Sequence, residues 1–229
     1  LVDKLVLLAS PQLGTPKAIG TILHGYDQMD EISGLVINSY IARQVINDMP
    51  GAYGLLPSEK FFENNTEPMV VFKSASVTAP YQSVYGNELR TYDDYIKFVR
   101  GADSIDRGLD NSSNIPATGK PLLVEQSRIL HDSLDNWVAP SSTKVIEIVG
   151  TGLPTMKSIE YRGLIEEDCF IGLFCSQTEY LKPFAVLTKY GDATVLQRSA
   201  EAYVGDKQKY FVNLKRLEDV NLSGYEHYN

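Results

Sequence analysis

Cysteine is scarce: Cys169 and Cys175 are the only two among 229 residues, and no other cysteine or clustered histidine supplies a metal-ligand pattern, so neither a metal nor a cofactor is expected. Their six-residue spacing leaves two readings, a structural pair of small buried hydrophobes, which is favoured, and a local disulfide. Long apolar runs are missing too. Stretches such as LVLLA and FAVL fall far short of the ~20 residues of a membrane span. Basic clusters are absent, and 29 acidic residues against 21 basic ones leave a net charge of −8, which argues against nucleic acid as a partner. The first residues, LVDKLVLLA, carry no initiator Met, no basic n-region and no cleavage site, and are expected to begin a fragment or a processed product. The compartment is left open.

What is present is enough apolar residue, 43%, for one large domain or two small ones with a core. Leu5 to Ala9 is a continuous apolar run closed by Ser10-Pro11, the pattern of a strand buried on both faces of a parallel sheet. A second such run, Lys144 to Val149, stops at Gly150-Thr151-Gly152. Two buried strands ending in Gly- or Pro-containing loops predict an α/β sheet, whose ligands gather outside the carboxyl ends of the strands.

Between the two runs the sequence is mostly helical in pattern. Apolar residues recur at helical spacing from Ile32 to Met49, with Pro50 closing the segment. Thr91 to Arg100 opens with Thr91 and Asp94 in a cap-like arrangement, and Leu122 to Trp137 puts Leu123, Leu130, Leu134 and Trp137 on one face. Residues 31–137 are therefore expected to form a helical cap inserted into a core made of residues 1–30 and 138–229. Tyr161 to Ser176 and Phe184 to Thr188 read as extended, and Lys207 to Leu214 as a last strand.

Three histidines restrict the choice of a general base. His24 and His131, the latter near the polar side of its helix, read as surface or packing residues, whereas His227 falls in a late loop after the last strand. Asp192 stands 35 residues before His227 with one strand between them, which matches the chain order nucleophile, acid, histidine of an α/β-hydrolase. A Gly-Asp pair also fits a plain turn, so the spacing leaves both roles open for Asp192. No Gly-x-Ser-x-Gly elbow occurs, and Ser10, the one serine directly after a buried strand, lacks the small flanking residues a strained elbow needs.

Four blocks in order, VDKLVLLASPQLGTPKAI, AYGLLPSEKFF, KVIEIVGTGLPT and YGDATVLQRSA followed by EHYN, resemble the lecithin:cholesterol acyltransferase-like branch of the α/β-hydrolase lipases. Gly150, Gly152, Pro154 and Thr155 resemble that family's Gly-x-Gly-x-Pro-Thr turn, and Gly191, Asp192, Thr194 and Val195 its Gly-Asp-x-Thr-Val element. The resemblance implies that Asp192 is the acid and His227 the base of a Ser-Asp-His triad, with Tyr228 and Asn229 completing the second motif. It implies a lipid or other acyl ester as substrate, and a nucleophile elbow and oxyanion loop lying before the strand that starts this chain. Departures are Gln12, where the family often has an aromatic residue or His, and Ala193 and Leu196, where Gly and Pro are commoner.

The expectation is thus the C-terminal portion of a serine hydrolase or acyltransferase that is inactive without its Ser. A missing N-terminal segment or a second copy is expected to cover the open sheet edge. The alternative is a non-catalytic lipid- or protein-binding module on the same scaffold.

Overall fold

The computed structural model describes residues 2–26, 30–32, 35–63, 65–108, 113–170 and 174–219. His227, Tyr228 and Asn229, on which part of the expected triad falls, lie outside the described residues.

The chain runs β1 (Lys4–Leu8), α1 (Pro16–His24), β2 (Asp30–Ile32), β3 (Leu35–Ile37), α2 (Ser39–Ile46), α3 (Pro50–Tyr53), α4 (Glu59–Glu63) and β4 (Val70–Phe72). It continues α5 (Ala79–Tyr85), β5 (Glu88–Leu89), α6 (Tyr92–Val99), α7 (Pro121–Leu134), β6 (Lys144–Thr151), β7 (Thr155–Phe170), β8 (Phe174–Thr188), α8 (Gln197–Ala200), β9 (Gln208–Asn213) and α9 (Leu214–Asp219). The fold is mixed α/β with a parallel sheet. β1, β6 and β9 form that sheet with β6 in the centre, Leu5 opposite Val145 and Ile148 opposite Tyr210. A second sheet has the order β5-β4-β7-β8 and joins β4, from within residues 31–137, in parallel to β7, from within 138–229.

β1 departs from the expected burial on both faces. Leu5 and Leu7 are half-buried against Val145, Ala139 and Tyr203, while Val6 and Leu8 are 48% and 62% exposed. An apolar run needs only one covered face to hold a strand, and β1 is an edge strand paired with β6 alone among the described residues.

Local chemistry sets the helix boundaries. Thr15 caps α1 by accepting from the Lys17 amide, Pro16 occupies the first turn, and Gly25 ends the helix at φ 63°, the left-handed conformation that glycine adopts freely. Thr91 likewise accepts from the Asp94 amide to start α6, and its hydroxyl donates to the Asp94 carboxylate. The single helix expected over Ile32–Met49 is instead the short hairpin β2–β3 followed by α2, which begins where the Asn38 side chain accepts from the Ile41 amide. The spacing of Ile32, Leu35 and Val36 suits a helical face, but a local cap and a run of β-formers at Leu35–Ile37 outweighed it.

The main core is aromatic. Phe72 stacks on Tyr81 and Tyr161 with ring centroids 5.3 and 5.4 Å apart, and Phe98 meets the same rings edge-on. These side chains come from β4, α5, α6 and β7 and tie the second sheet to the helices beside it.

β7 and β8 form a long antiparallel hairpin whose register brings Cys169 opposite Cys175. The two are disulfide-bonded and exposed, which corrects the favoured reading of buried free thiols. With their thiols bonded to each other they offer no thiolate to a metal, although Glu167 lies beside them. No helix among the described residues is long and apolar enough to cross a membrane.

Candidate functional site

Asp192 sits in the loop that follows the β7–β8 hairpin, beside the carboxyl end of the central strand β6. Its Oδ1 accepts from the Thr194 and Val195 amides at 2.9 and 2.7 Å, and its own amide donates to the Val195 carbonyl. This is the tight turn that Asp favours. The second oxygen, Oδ2, makes no hydrogen bond to any described residue, and the side chain is half-buried. One carboxylate oxygen thus builds the loop while the other remains available to a donor, so the turn role and an orienting role are compatible in one residue.

Gly150 makes the approach possible. A Cβ there would lie 2.7 Å from the Asp192 Cβ and 3.2 Å from the Leu214 Cδ1. Asp192 and Leu214, the first residue of α9 directly after β9, therefore converge over the same glycine.

The described parts of the four blocks that carry the resemblance, the fourth through Tyr190 to Ala200 alone, pack on one another. Leu153 of the GTGLPT turn donates its amide to the Gly191 carbonyl, and the Thr155 hydroxyl accepts from the Ala193 amide at 2.9 Å. From the first block, the Thr15 hydroxyl donates to the Thr194 carbonyl at 2.6 Å. Ser199, fully buried, accepts from the Leu13 amide and donates to the Gly14 carbonyl. The second block closes on the first through the Thr15 amide to the Leu55 carbonyl and the Ser58 amide to the Leu13 carbonyl. Gly14, at φ 79°, lies where a Cβ would stand 2.3 Å from the Leu56 carbonyl oxygen.

Ala193 occupies the left-handed region at φ 81°, where glycine is at ease and a side chain is strained. Gln12 donates its side-chain amide to Glu147 Oε1 and to the Ala200 carbonyl. Glu147 is fully buried on β6 and pairs with Lys207 Nζ at 3.0 Å, while the Tyr203 amide donates to its Oε1. The one sequence signal for this network is the lone acid inside the apolar run KVIEIV.

Arg198 lies 4.2 Å over the Phe61 ring and bonds the Asn65 side chain; burial lowers its pKa, opposed by the charge of Glu67.

The histidines divide sharply. His24 is buried at the end of α1, where Nδ1–H donates to the Ser113 carbonyl at 2.7 Å and Nε2 accepts from the Tyr161 hydroxyl at 2.6 Å. Burial, reinforced by the charges of Arg43, Arg107 and Lys182 and opposed by the Ser113 carbonyl, lowers its pKa to about 4. It is a packing residue. His131 is not on a polar face but buried on α7, which turns Val124, Ser127 and His131 inward because the Ser127 hydroxyl donates to the Tyr53 carbonyl.

No protein-family model matches the chain, and no curated protein matches it. A solved structure, described as the crystal structure of the Tle4-Tli4 complex, is similar to it at 15% identity with a TM-score of 0.38. That likeness covers 69% of this chain and 33% of the other, so the chain spans about a third of the length of the chain it matches.

Proposed function

We propose that this chain is the acid- and base-bearing part of an α/β-hydrolase lipase or acyltransferase. Residues 1–30 and 138–229 belong to the hydrolase core, and residues 31–137 are the cap over its site. Asp192 accepts the Nδ1 proton of His227 and holds the imidazole in the tautomer that can deprotonate a serine supplied from outside this chain. The serine attacks the carbonyl of a lipid ester, and water in preference to an alcohol resolves the acyl-enzyme. A preceding segment of the protein, or a second copy, covers the open edge of the sheet at β1.

One observation carries the reading: four blocks far apart in sequence are hydrogen-bonded around a loop that presents one free oxygen of Asp192 beside the end of β9. A turn made only to reverse the chain needs neither that convergence nor the glycine beneath it.

The test uses the whole protein with its nucleophile-bearing portion. Asp192→Asn is expected to lower kcat on a short-chain ester by about 10³–10⁴-fold with the thermal melt unchanged, and His227→Ala by a similar factor. Near-full activity in either variant would overturn the assignment. The 229-residue chain alone is expected to be inactive, and turnover by it that Ser10→Ala abolishes would do the same.

A further inference from the structure

The three nitrogens of the Arg198 guanidinium, on α8, have different surroundings. Nη1 donates to the Asn65 side chain, and Nε is buried without a hydrogen-bond partner among the described residues. Nη2 makes no hydrogen bond to a described residue either, yet it is not occluded. The buried ring of Phe61 lies against the group, its centroid 4.2 Å from Cζ. Stacking and the Asn65 bond fix the plane of the guanidinium, so Nη2 is held ready for an acceptor.

No acid stands within ion-pair distance of Arg198 among the described residues. Burial works against its charge, and Glu67 offsets this only from beyond that distance. The side chain lines a cavity of about 220 Å³ together with Tyr190, Leu196 and Gln197. Two carboxylates, Glu67 and Glu201, share the wall, but each is already paired: Glu67 with Lys157, and Glu201 Oε2 with Lys209 Nζ at 2.9 Å. The acids thus have their cations, and the guanidinium has no counter-ion. Asp192 is not among the lining residues, so the cavity stands apart from the loop assigned above and the inference does not rest on that assignment.

We propose that this cavity binds a small, singly charged carboxylate, held by Arg198 Nη2 and the Gln197 side-chain amide, with its apolar body against Tyr190 and Leu196. A guanidinium stays charged at neutral pH, and its bonds to a carboxylate are about twice as strong as those between neutral groups. A doubly charged anion fits less well, because Glu67 and Glu201 stand in the same wall and repel a second negative charge. The volume falls below the ~300 Å³ at which pockets for drug-sized ligands begin, so the body is about one ring in size.

The 229-residue chain is titrated calorimetrically at pH 8 in low-chloride buffer with benzoate and, separately, with benzamide, a neutral body of the same size. Saturable binding of benzoate, and at least tenfold weaker binding of benzamide, are the expected results. Arg198→Gln is expected to weaken benzoate at least tenfold and to leave benzamide unchanged. Should that variant fail to fold, Tyr190→Ala takes its place: Tyr190 is 72% exposed, and its loss is expected to weaken benzoate at least threefold. No saturable binding of benzoate, equal affinity for benzamide, or tighter binding of inorganic phosphate than of benzoate would each overturn the proposal. So would native benzoate affinity in a folded Arg198→Gln chain, or in Tyr190→Ala where that variant decides. None of these readouts depends on Asp192 or His227.

Discussion

The Cβ of Asp192 stands where a side chain on Gly150 would have to go: an added methyl there would approach it to 2.7 Å, with Leu214 at 3.2 Å on the other flank. Gly150→Ala is therefore expected to push the Asp192 loop away from β6. Overpacking at such a site costs about 1–3 kcal/mol, to be read from urea unfolding of this chain. In the whole protein the same change is expected to lower ester turnover at least tenfold, since Asp192 would no longer meet the end of β9.

Ala193 offers the opposite experiment. Its φ of 81° strains an alanine, and the residue is exposed, so Ala193→Gly is expected to raise stability. The gain from relieving left-handed strain is about 1 kcal/mol, diminished by the greater freedom of the unfolded glycine. An unchanged or lower unfolding midpoint in urea would show that the loop relaxes around alanine.

His24 sets a pH dependence. Its pKa falls from 6.5 in the unfolded chain to about 4 in the fold, because burial disfavours the imidazolium. The unfolded state then binds the proton more readily, so the contribution is complete above pH 6.5, shrinks as pH falls toward 4, and is constant below. The shift corresponds to ~3 kcal/mol. His24→Gln keeps a donor for the Ser113 carbonyl and an acceptor for the Tyr161 hydroxyl but cannot titrate. Thermal melts between pH 7 and 4 are expected to fall less steeply in the variant than in the native chain.

Glu147 lies fully buried on the central strand with Lys207, Gln12 and the Tyr203 amide around it. Glu147→Ala strands an ammonium and two donors, and is expected to cost about 3–5 kcal/mol in chemical denaturation. Replacing the pair together, Glu147→Leu with Lys207→Met, is expected to recover at least half of that loss, because the uncompensated charge disappears with its partner.

The parallel strands were legible because their sequence pattern coincides with their structure: LVLLA and KVIEIV are the β1 and β6 that pair in register. The caps at Thr91 and Thr15 act through neighbours two or three residues away, which a linear reading can reach. Pairing across the sheet is another matter. The disulfide depends on the β7–β8 register that sets Cys169 against Cys175, and nothing within either strand fixes that register alone. On α7 the expected face of Leu123, Leu130, Leu134 and Trp137 divides: Leu123 packs against the core, the other three are exposed, and a hydroxyl and an imidazole go inside. The tertiary hydrogen bond from Ser127 to the Tyr53 carbonyl and the local bond of His131 to Asp135, one turn on, outweighed the hydrophobic stripe there. At the candidate site, Asp192 was legible from its turn, but the glycine beneath it and the hydroxyls that bind the four blocks belong to contacts between distant segments.

The pairing of Leu5 with Val145 also sets an order of events during folding. β1 meets β6 only across 140 residues of chain, and closing a loop of that length costs about 4 kcal/mol of chain entropy before any ladder bond between them offsets it. The aromatic cluster of Phe72, Tyr81, Tyr85 and Phe98 spans fewer than 30 positions and can assemble while β1 still waits. Until β6 arrives, Leu5 and Leu7 lack the cover that Val145 gives them, and β1 keeps an apolar face open that a chaperone or a neighbouring copy can meet first.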